Sequence, residues 1–529
     1  MTPQEPAPTT VVDRSGIAGA AVLISAGNVA SRVLGLLREA VITHVFGATG
    51  AVSAFRAASS TYNLLYELLV GGLISSALVP VLSEYAERDR YQYRQLLGSL
   101  ILLLSIGVSG IVVVLEAAAP LVTWLISPGF GSELKMLTTV LIRTMLPAVL
   151  LMGLAGLLSA ALYALQEFAY PAFMAAIFNA AIIVCAIVFR QQFEVRALAL
   201  GVLIGSAAQL LLQIAGLRTR SIQPLWAIFH PAVKRVIVLS APVLASLVIG
   251  QAQVVIDRNL ASRTGEQSIA WMANATTLIQ FPLGLIAAAI SLATLPRLSR
   301  LASVGDNAPF LATLAFSLRL VVVLILPATA MLLVLGTPLI RLLFEHGRFL
   351  PSDTVATANA LQLYVIGLPF AAIDQSLILA FYARHDTLRP ALVGIAAVGI
   401  YLAVALSTAP ALGMLGLVLA NSAQWFGHAM LMIVLTRARL GRLSGYRLVH
   451  NLGQVTIGSL VAATVMAIAL RLLSVASLPA IGQEALLVLV PGTCGAASYA
   501  AIMWLLRNEE TISLFRFLQA RARSLSRPM

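Results

Sequence analysis

The sequence has 529 residues, of which 60% are hydrophobic and only 10% are charged. A soluble core of this length cannot bury so much apolar surface, so the composition indicates a membrane protein. The formal net charge of +13 comes from basic residues scattered singly between apolar runs rather than from a basic stripe, which argues against nucleic-acid binding. Cys185 and Cys494 lie far apart within apolar runs, and we predict both to be buried, small hydrophobic residues.

Apolar stretches long enough to cross roughly 30 Å of hydrocarbon recur from one end of the chain to the other. Residues 1–16 are polar and lack the regions of a cleaved signal, so we expect the first helix to be retained. The pattern predicts an all-α polytopic membrane protein with about fourteen transmembrane helices. They are expected near 17–46, 53–83, 96–126, 134–165, 171–190, 196–217, 236–261, 268–296, 311–343, 354–382, 390–408, 411–436, 449–474 and 484–506.

The distribution of basic residues predicts the orientation of these helices. With an even number of spans, both termini lie on the same side of the membrane. Most of the 34 Lys and Arg residues in the sequence fall in the tails and loops on that side. Basic residues accumulate in cytoplasmic loops, so we expect both termini to be cytoplasmic.

An internal repeat divides the predicted helices into two halves. The segment 54–86 aligns without a gap on 270–302, so that Pro80 meets Pro296 and Ser83 meets Ser299. A repeat separated by six spans keeps its orientation, which is typical of two parallel lobes in a secondary transporter. The predicted regions are a cytoplasmic tail (1–16), an N-lobe (17–217), a cytoplasmic linker (218–235), a C-lobe (236–436), a basic cytoplasmic loop (437–448), two further helices (449–506) and a basic cytoplasmic tail (507–529).

Charged side chains inside the predicted spans are candidates for function, because each costs at least about 2.5–3.5 kcal/mol at mid-membrane. They are Arg32, Arg38, Glu39, Arg56, Glu67, Glu116, Arg143, Asp257, Arg258, Arg319 and Asp374. Arg32 and Arg38 lie about 120° apart around their helix, so both can border one wide cavity. With Arg56 from the next helix they would suit a phosphate or pyrophosphate. The alternative is internal pairing, of Arg38 with Glu39 or Glu67 and of Asp257 with Arg258.

Several segments resemble the lipid II flippases of the MurJ/MviN family, within the MOP transporter superfamily. They are SRVLGLLREAVITHVFGA (31–48), ALVPVLSEY (77–85), LYALQEFAYPAF (162–173), QVVIDRNLAS (253–262), LFEHGRF (343–349) and FYARHDTLRP (381–390). The resemblance implies two six-helix lobes around a cationic cavity, alternating access, and a groove for an undecaprenyl tail at the last two helices. The implied cargo is lipid II, moved from the cytoplasmic to the periplasmic leaflet of the bacterial inner membrane.

Carried over by position, the resemblance implies a substrate site that includes Ser31, Arg32, Arg38 and Glu39, with Arg56 as a local addition. The chain departs from the family pattern where charged residues are expected. The departures are Ser53, Tyr66, Glu67, Thr276 and Thr277. Two arginines expected around the pyrophosphate are therefore missing.

No cofactor is predicted, although Na⁺ or H⁺ is a candidate coupling ion. Some members of the family bind sodium, and Asp257 with Arg258 is then either part of an ion site or a structural pair. Ala405 stands where an asparagine ligand is expected.

No motif indicates an enzyme. The favoured interpretation is a lipid II flippase, with membrane lipids and the cell-wall synthesis machinery as further partners. The alternatives are a flippase for another undecaprenyl-pyrophosphate-linked glycan, an ion-coupled exporter of amphiphiles, and a non-transporting envelope scaffold.

Overall fold

The computed structural model describes residues 14–68, 77–220, 224–225, 230–475, 482–513 and 516. Within these ranges the chain is helical and contains no β-strand, as the sequence predicted. The helices are α1 (Arg14–Phe46), α2 (Gly50–Tyr66), α3 (Val79–Arg88), α4 (Arg90–Ala117), α5 (Ala119–Ile126), α6 (Ser132–Ala164), α7 (Ala169–Ala172), α8 (Met174–Val188), α9 (Arg190–Phe193), α10 (Arg196–Thr219), α11 (Ala232–Ser262), α12 (Ser268–Pro282), α13 (Ala288–Val304), α14 (Asn307–Phe344), α15 (Pro351–Tyr382), α16 (Leu388–Leu412), α17 (Met414–Arg439), α18 (Leu448–Val475) and α19 (Gln483–Leu505).

Ten helical segments in the described part of the chain are long and apolar enough to cross a membrane, and α8 is a shorter apolar helix. Every predicted span overlaps a helix, although span 53–83 includes residues 69–76, which lie outside the described ranges. The chain is therefore a multi-pass membrane protein. The count of fourteen crossings stays a prediction.

The chain divides into two compact units. The described residues of the first unit lie within 1–42, 58–123 and 136–248, and those of the second lie within 43–57, 124–135 and 249–529. The predicted lobe boundaries at 217 and 236 stay predictions.

The first unit is held together by an apolar cluster from α3, α4, α6, α10 and α11. Its fully buried members include Leu82, Tyr93 and Leu96, and the hydroxyl of Tyr93 donates to the backbone carbonyl of Ala161 at 3.0 Å. Gly27 allows α1 to approach α7 closely, because a Cβ atom there would lie 2.2 Å from the carbonyl oxygen of Ala172. Small residues at such crossings are typical of membrane helix packing.

The second unit is built on packing among α14, α15, α16 and α17. Glycine again permits close approach: a Cβ atom on Gly416 would lie 2.7 Å from the backbone nitrogen of Ala409. A π-helical turn at Leu283–Ala287 joins α12 to α13 just after Pro282, whose missing N–H interrupts the regular hydrogen-bond ladder. The two helices are thus continuous through the π-helical turn, and Ser268–Val304 is one of the ten membrane-length segments.

The last two helices pack on α14 and on each other. The hydroxyl of Tyr499 on α19 donates to the carbonyl oxygen of Val323 on α14 at 2.6 Å. Contrary to our expectation, Cys494 on α19 is exposed, while Cys185 is buried as predicted. One face of a transmembrane helix can contact lipid instead of protein. The apolar composition around Cys494 therefore did not reveal that its side chain is exposed.

Candidate functional site

Arg38 on α1 is hydrogen-bonded to two side chains. Its Nε and Nη2 donate to Oε1 of Glu39 at 3.1 and 2.5 Å, and its Nη1 donates to Oδ1 of Asn179 on α8 at 3.0 Å. The Arg38 side chain remains 26% exposed, whereas that of Glu39 is 4% exposed. Of the two carboxylates that the sequence offered, Glu39 is thus the ion-pair partner. Glu39 neutralises Arg38, but the guanidinium keeps part of its surface accessible.

Ser31 and Arg32 lie one to two turns before Arg38. The carbonyl oxygen of Ser31 accepts from Nδ2 of Asn179 at 3.2 Å, so Asn179 connects both ends of this stretch of α1. Arg32 is half-buried and makes no ion pair within the part of the chain that the structure describes. No described residue occupies its donors, so its guanidinium is suited to binding a ligand.

Arg56 is half-buried on α2 and belongs to the second unit. Its predicted place beside Arg32 and Arg38, which belong to the first unit, stays a prediction.

At three positions where the resemblance implied a charged residue, the chain has a hydroxyl side chain that is hydrogen-bonded to a backbone group. The hydroxyls of Thr276 and Thr277 both donate to the carbonyl oxygen of Ala273 at 2.9 Å. The hydroxyl oxygen of Ser53 is buried and accepts from the backbone nitrogen of Ala270 at 3.2 Å. These three side chains bring no positive charge to a phosphate.

Asp257 and Arg258 on α11 are neighbours in a polar cluster of the second unit. Oδ1 of Asp257 accepts from the hydroxyl of Tyr401 at 2.8 Å and from Nδ2 of Asn421 at 3.3 Å, while Oδ2 lies 3.9 Å from Nη1 of Arg258. Ala405 is buried and offers no side-chain oxygen. Since donors already face both carboxylate oxygens, this arrangement favours a structural pair over a cation site.

Two further charged pairs occur in the second unit, and the sequence did not reveal their partners. Nε of Arg319 on α14 lies 2.5 Å from Oε1 of Glu510, which follows α19, and both side chains are largely buried. Nδ1 of His428 on α17 lies 2.7 Å from Oδ1 of Asp374 on α15. Arg319 and Asp374 were noticed as charges in apolar sequence, but their partners are remote along the chain and follow no periodic signal.

An apolar cavity of about 570 Å³ lies in the second unit, where α14, α15, α17 and α18 meet. Leu318, Val322 and Leu377 line its interior, while Arg437 and Arg442 stand among its lining residues with exposed side chains. The cavity therefore combines an apolar interior with positive charge.

Comparison with solved structures identifies the fold. The chain superposes with a TM-score of 0.78 on a structure described as "Lipid II flippase MurJ, inward closed conformation", at 22% identity over 92% of this chain and 99% of that one. It also matches an inward-facing multidrug resistance MATE family transporter of the MOP superfamily, with a TM-score of 0.67 and 13% identity over 78% of this chain and 96% of that one. This chain thus has the fold seen in these two structures.

Sequence comparison gives the family. The chain is 31% identical over 414 residues to the lipid II flippase MurJ of Burkholderia cenocepacia, covering 76% of this chain and 80% of the relative. It is 32% identical over 391 residues to the probable lipid II flippase MurJ of Vibrio cholerae, covering 71% and 74%. The family model described as "Lipid II flippase MurJ" matches residues 42–489. This chain belongs to the MurJ family, a family of membrane transporters rather than enzymes.

Proposed function

We propose that this protein is a flippase that moves lipid II from the cytoplasmic to the periplasmic leaflet of the bacterial inner membrane. In this proposal it works by alternating access through a cationic cavity, and both termini are cytoplasmic. Family membership and the names of the relatives support the cargo. The excess of basic residues on one side of the predicted spans supports the orientation.

The proposal rests on the pairing and exposure of the two arginines on α1, Arg32 and Arg38. Arg32 has no ion-pair partner among the described residues, and Arg38 is partly exposed although Glu39 and Asn179 hold its guanidinium. A positioned guanidinium presents parallel N–H donors to phosphate oxygens without losing further conformational freedom. Arg38 is therefore suited to orient the pyrophosphate, and Arg32 to add charge.

The apolar part of the cargo needs a surface of its own. We assign the polyprenyl tail to the region of α18 and α19, as the resemblance implied. The apolar cavity beside α18, with Arg437 and Arg442 among its lining residues, supports that assignment because a lipid-linked phosphate has the same combination of chain and charge.

A second candidate is a flippase for another undecaprenyl-pyrophosphate-linked glycan. It is favoured by the uncharged side chains of Thr276 and Thr277, which stand where the family pattern expected an acidic and a basic residue. A cavity with different charges would accommodate a different head group.

The decisive experiment is rescue of bacteria depleted of their own lipid II flippase, with all variants at matched membrane expression. Wild type is expected to restore growth and Arg32→Ala to fail. Arg143→Ala is the control, because this exposed arginine on α6 donates to the backbone carbonyl of Glu116 and to no other group among the described residues. Arg38→Ala alone is ambiguous, since it leaves the Glu39 carboxylate buried without its cation.

The double variant Arg38→Ala, Glu39→Ala resolves that ambiguity by removing the pair together. A well-folded double variant that fails to rescue supports a role of Arg38 in cargo binding. Rescue by Arg32→Ala and by the double variant would contradict the cationic-cavity mechanism. Failure of well-expressed wild type, together with binding of another purified polyprenyl-pyrophosphate glycan in place of lipid II, would favour the second candidate.

A further inference from the structure

A series of three polar side chains lies along one face of α17, and each is hydrogen-bonded to a side chain of another helix in the second unit. Asn421, Gln424 and His428 succeed one another at spacings of three and four residues, so they share a face of the helix. Asn421 bonds to Asp257, and Gln424 exchanges two hydrogen bonds with Gln253 at 2.5 and 2.9 Å. His428 bonds to Asp374, which completes the series.

The Asp374–His428 pair is the titratable member of this series that no role assigned above uses. Its side chains are 15% and 13% exposed, so both are mostly withdrawn from solvent while retaining limited access. Nδ1 of the imidazole faces the carboxylate at 2.7 Å, and Nε2 points toward Gly394 on α16, where a Cβ atom would lie 3.9 Å from it. The glycine leaves room beside the second ring nitrogen.

We propose that the Asp374–His428 pair is a proton-binding site that couples transport to the proton gradient. With a neutral imidazole, Nδ1–H donates to the Asp374 carboxylate and the pair carries a net charge of one negative unit. A hydronium ion then transfers a proton to the lone pair of Nε2: an N–H bond forms, one O–H bond of the hydronium breaks, water leaves, and the pair becomes neutral. Because charge inside the membrane is costly, the two states favour different environments for α15 and α17.

A proton fits this site better than a metal ion. Among the described residues, no group of three or more His, Cys, Asp or Glu side chains is placed to hold a metal, and the pair itself supplies two ligands. Protein metal sites ordinarily use at least three. The unperturbed imidazole of histidine, by contrast, is the side chain that gains or loses a proton between about pH 5 and 8.

The helices packed around the pair carry other charged and titratable groups. On helices α13 to α17 these groups are Arg297 and Arg300 (α13), Arg319 and Arg341 (α14), Asp353, Tyr364 and Tyr382 (α15), Arg389 and Tyr401 (α16), and Arg437 and Arg439 (α17). The part of α11 that belongs to this unit carries Asp257 and Arg258. Helix α12 carries no such group. Of these, Asp257 is bonded to Tyr401, Arg319 to Glu510 and Arg389 to Asp386. Asp374 is thus the carboxylate that directly faces His428.

Trp425 provides a direct reporter of protonation, because it lies one helical turn from His428 and protonated imidazole quenches indole fluorescence. The probe is the proton alone: fluorescence of the purified full-length protein is titrated from pH 8.5 to 5, and the signal of Trp425→Phe is subtracted. We expect wild type to show a quench that His428→Gln abolishes. Asp374→Asn, which keeps an acceptor for Nδ1–H but removes the charge, is expected to shift the quench to lower pH. His385→Asn, at an exposed histidine, is the control that leaves the titration in place.

A titration that persists in His428→Gln, or one that does not shift in Asp374→Asn, would overturn the proposal. The coupling rests on the proposed flippase function and is measured separately in proteoliposomes. The rate of lipid II movement with an imposed pH gradient, divided by the rate without one, is expected to exceed one in wild type and to fall to one in Asp374→Asn. A ratio of one in an active wild type would refute the coupling. Absence of any lipid II movement would instead count against the proposed function, while the fluorescence titration would still decide whether the pair binds a proton.

Discussion

Asn179 on α8 connects Arg38 to Ser31 across α1: its Oδ1 accepts from Nη1 of Arg38 at 3.0 Å, and its Nδ2 donates to the backbone carbonyl of Ser31 at 3.2 Å. The sequence pointed to the side chain of Ser31, but the group engaged here is the carbonyl oxygen of that residue. The orientation of Arg38 therefore depends on a residue that the resemblance did not single out.

Asn179→Ala is expected to reduce both stability and transport. It removes the neutral acceptor of a partly buried guanidinium, a loss of about 1–3 kcal/mol in the free energy of unfolding. Thermal unfolding in detergent and growth rescue measure the two effects. Ser31→Ala is the matched control, since it preserves the backbone carbonyl. Equal losses of transport in the two variants would contradict a specific dependence on the Asn179 contacts.

We expect the free energy of unfolding to depend strongly on both members of the buried pair Arg319 and Glu510. Glu510→Ala leaves Arg319 without its counter-charge, which is expected to cost about 3–5 kcal/mol in the free energy of unfolding. The exposed pair of Arg447 and Glu509 is the control, and Glu509→Ala is expected to change stability by about 0–1 kcal/mol. The measurement is denaturant unfolding in detergent. Similar effects of the two substitutions would contradict the role of burial.

His230 predicts a loss of stability in mild acid. Its side chain is 6% exposed, its Nδ1 accepts from the backbone nitrogen of Ala232 at 3.2 Å, and burial lowers the pKa of the imidazole below its ordinary value of 6.5. A group whose pKa is lower in the folded than in the unfolded protein stabilises the fold at pH values above its unfolded-state pKa. That stability is lost as the pH falls through the folded-state pKa.

His230→Asn keeps an acceptor for the start of α11 but does not titrate. The fall in melting temperature between pH 7.5 and 5.5 is therefore expected to be smaller in this variant than in wild type. His385→Asn, at an exposed position, should retain the wild-type fall. An unchanged pH dependence in His230→Asn would show that His230 is not the group responsible.

The predicted orientation is testable by cysteine labelling after replacement of the two native cysteines. Arg90→Cys and Arg190→Cys both introduce exposed thiols, and the sequence places them on opposite sides of the membrane. A membrane-impermeant maleimide added to spheroplasts is expected to label position 190 and to reach position 90 only after lysis. The reverse pattern would place the termini in the periplasm.

Sequence predicted the helices well because a membrane span depends on a long apolar run, which is a local property. Pro338, for example, was correctly placed in a span, and it lies within α14. Pro120, which the predicted span 96–126 includes, instead stands near the start of the short helix α5, which is separate from α4. The apolar run gave no sign of this break, because a proline is compatible with either a helix start or a kink.

The polar contacts were far less predictable. The pairing of Arg38 with Glu39 was foreseen as an alternative because the residues are adjacent. Asn179 and His428 were not singled out, since each appears in sequence as one polar residue within an apolar helix. Their roles depend on which neighbouring helix each one faces. That information resides in tertiary packing rather than in local periodicity.

The Arg319–Glu510 contact also has a consequence for biogenesis. At a synthesis rate of about 5–20 residues per second, α14 leaves the ribosome on the order of ten seconds before Glu510 does. During that interval the Arg319 guanidinium lacks the carboxylate that later neutralises it. The second unit therefore cannot complete its charge pairing during translation of its own central helices. A nascent chain stalled or truncated before Glu510 would present an unneutralised cation to lipid, which gives membrane quality control a chemical feature that distinguishes incomplete from finished chains.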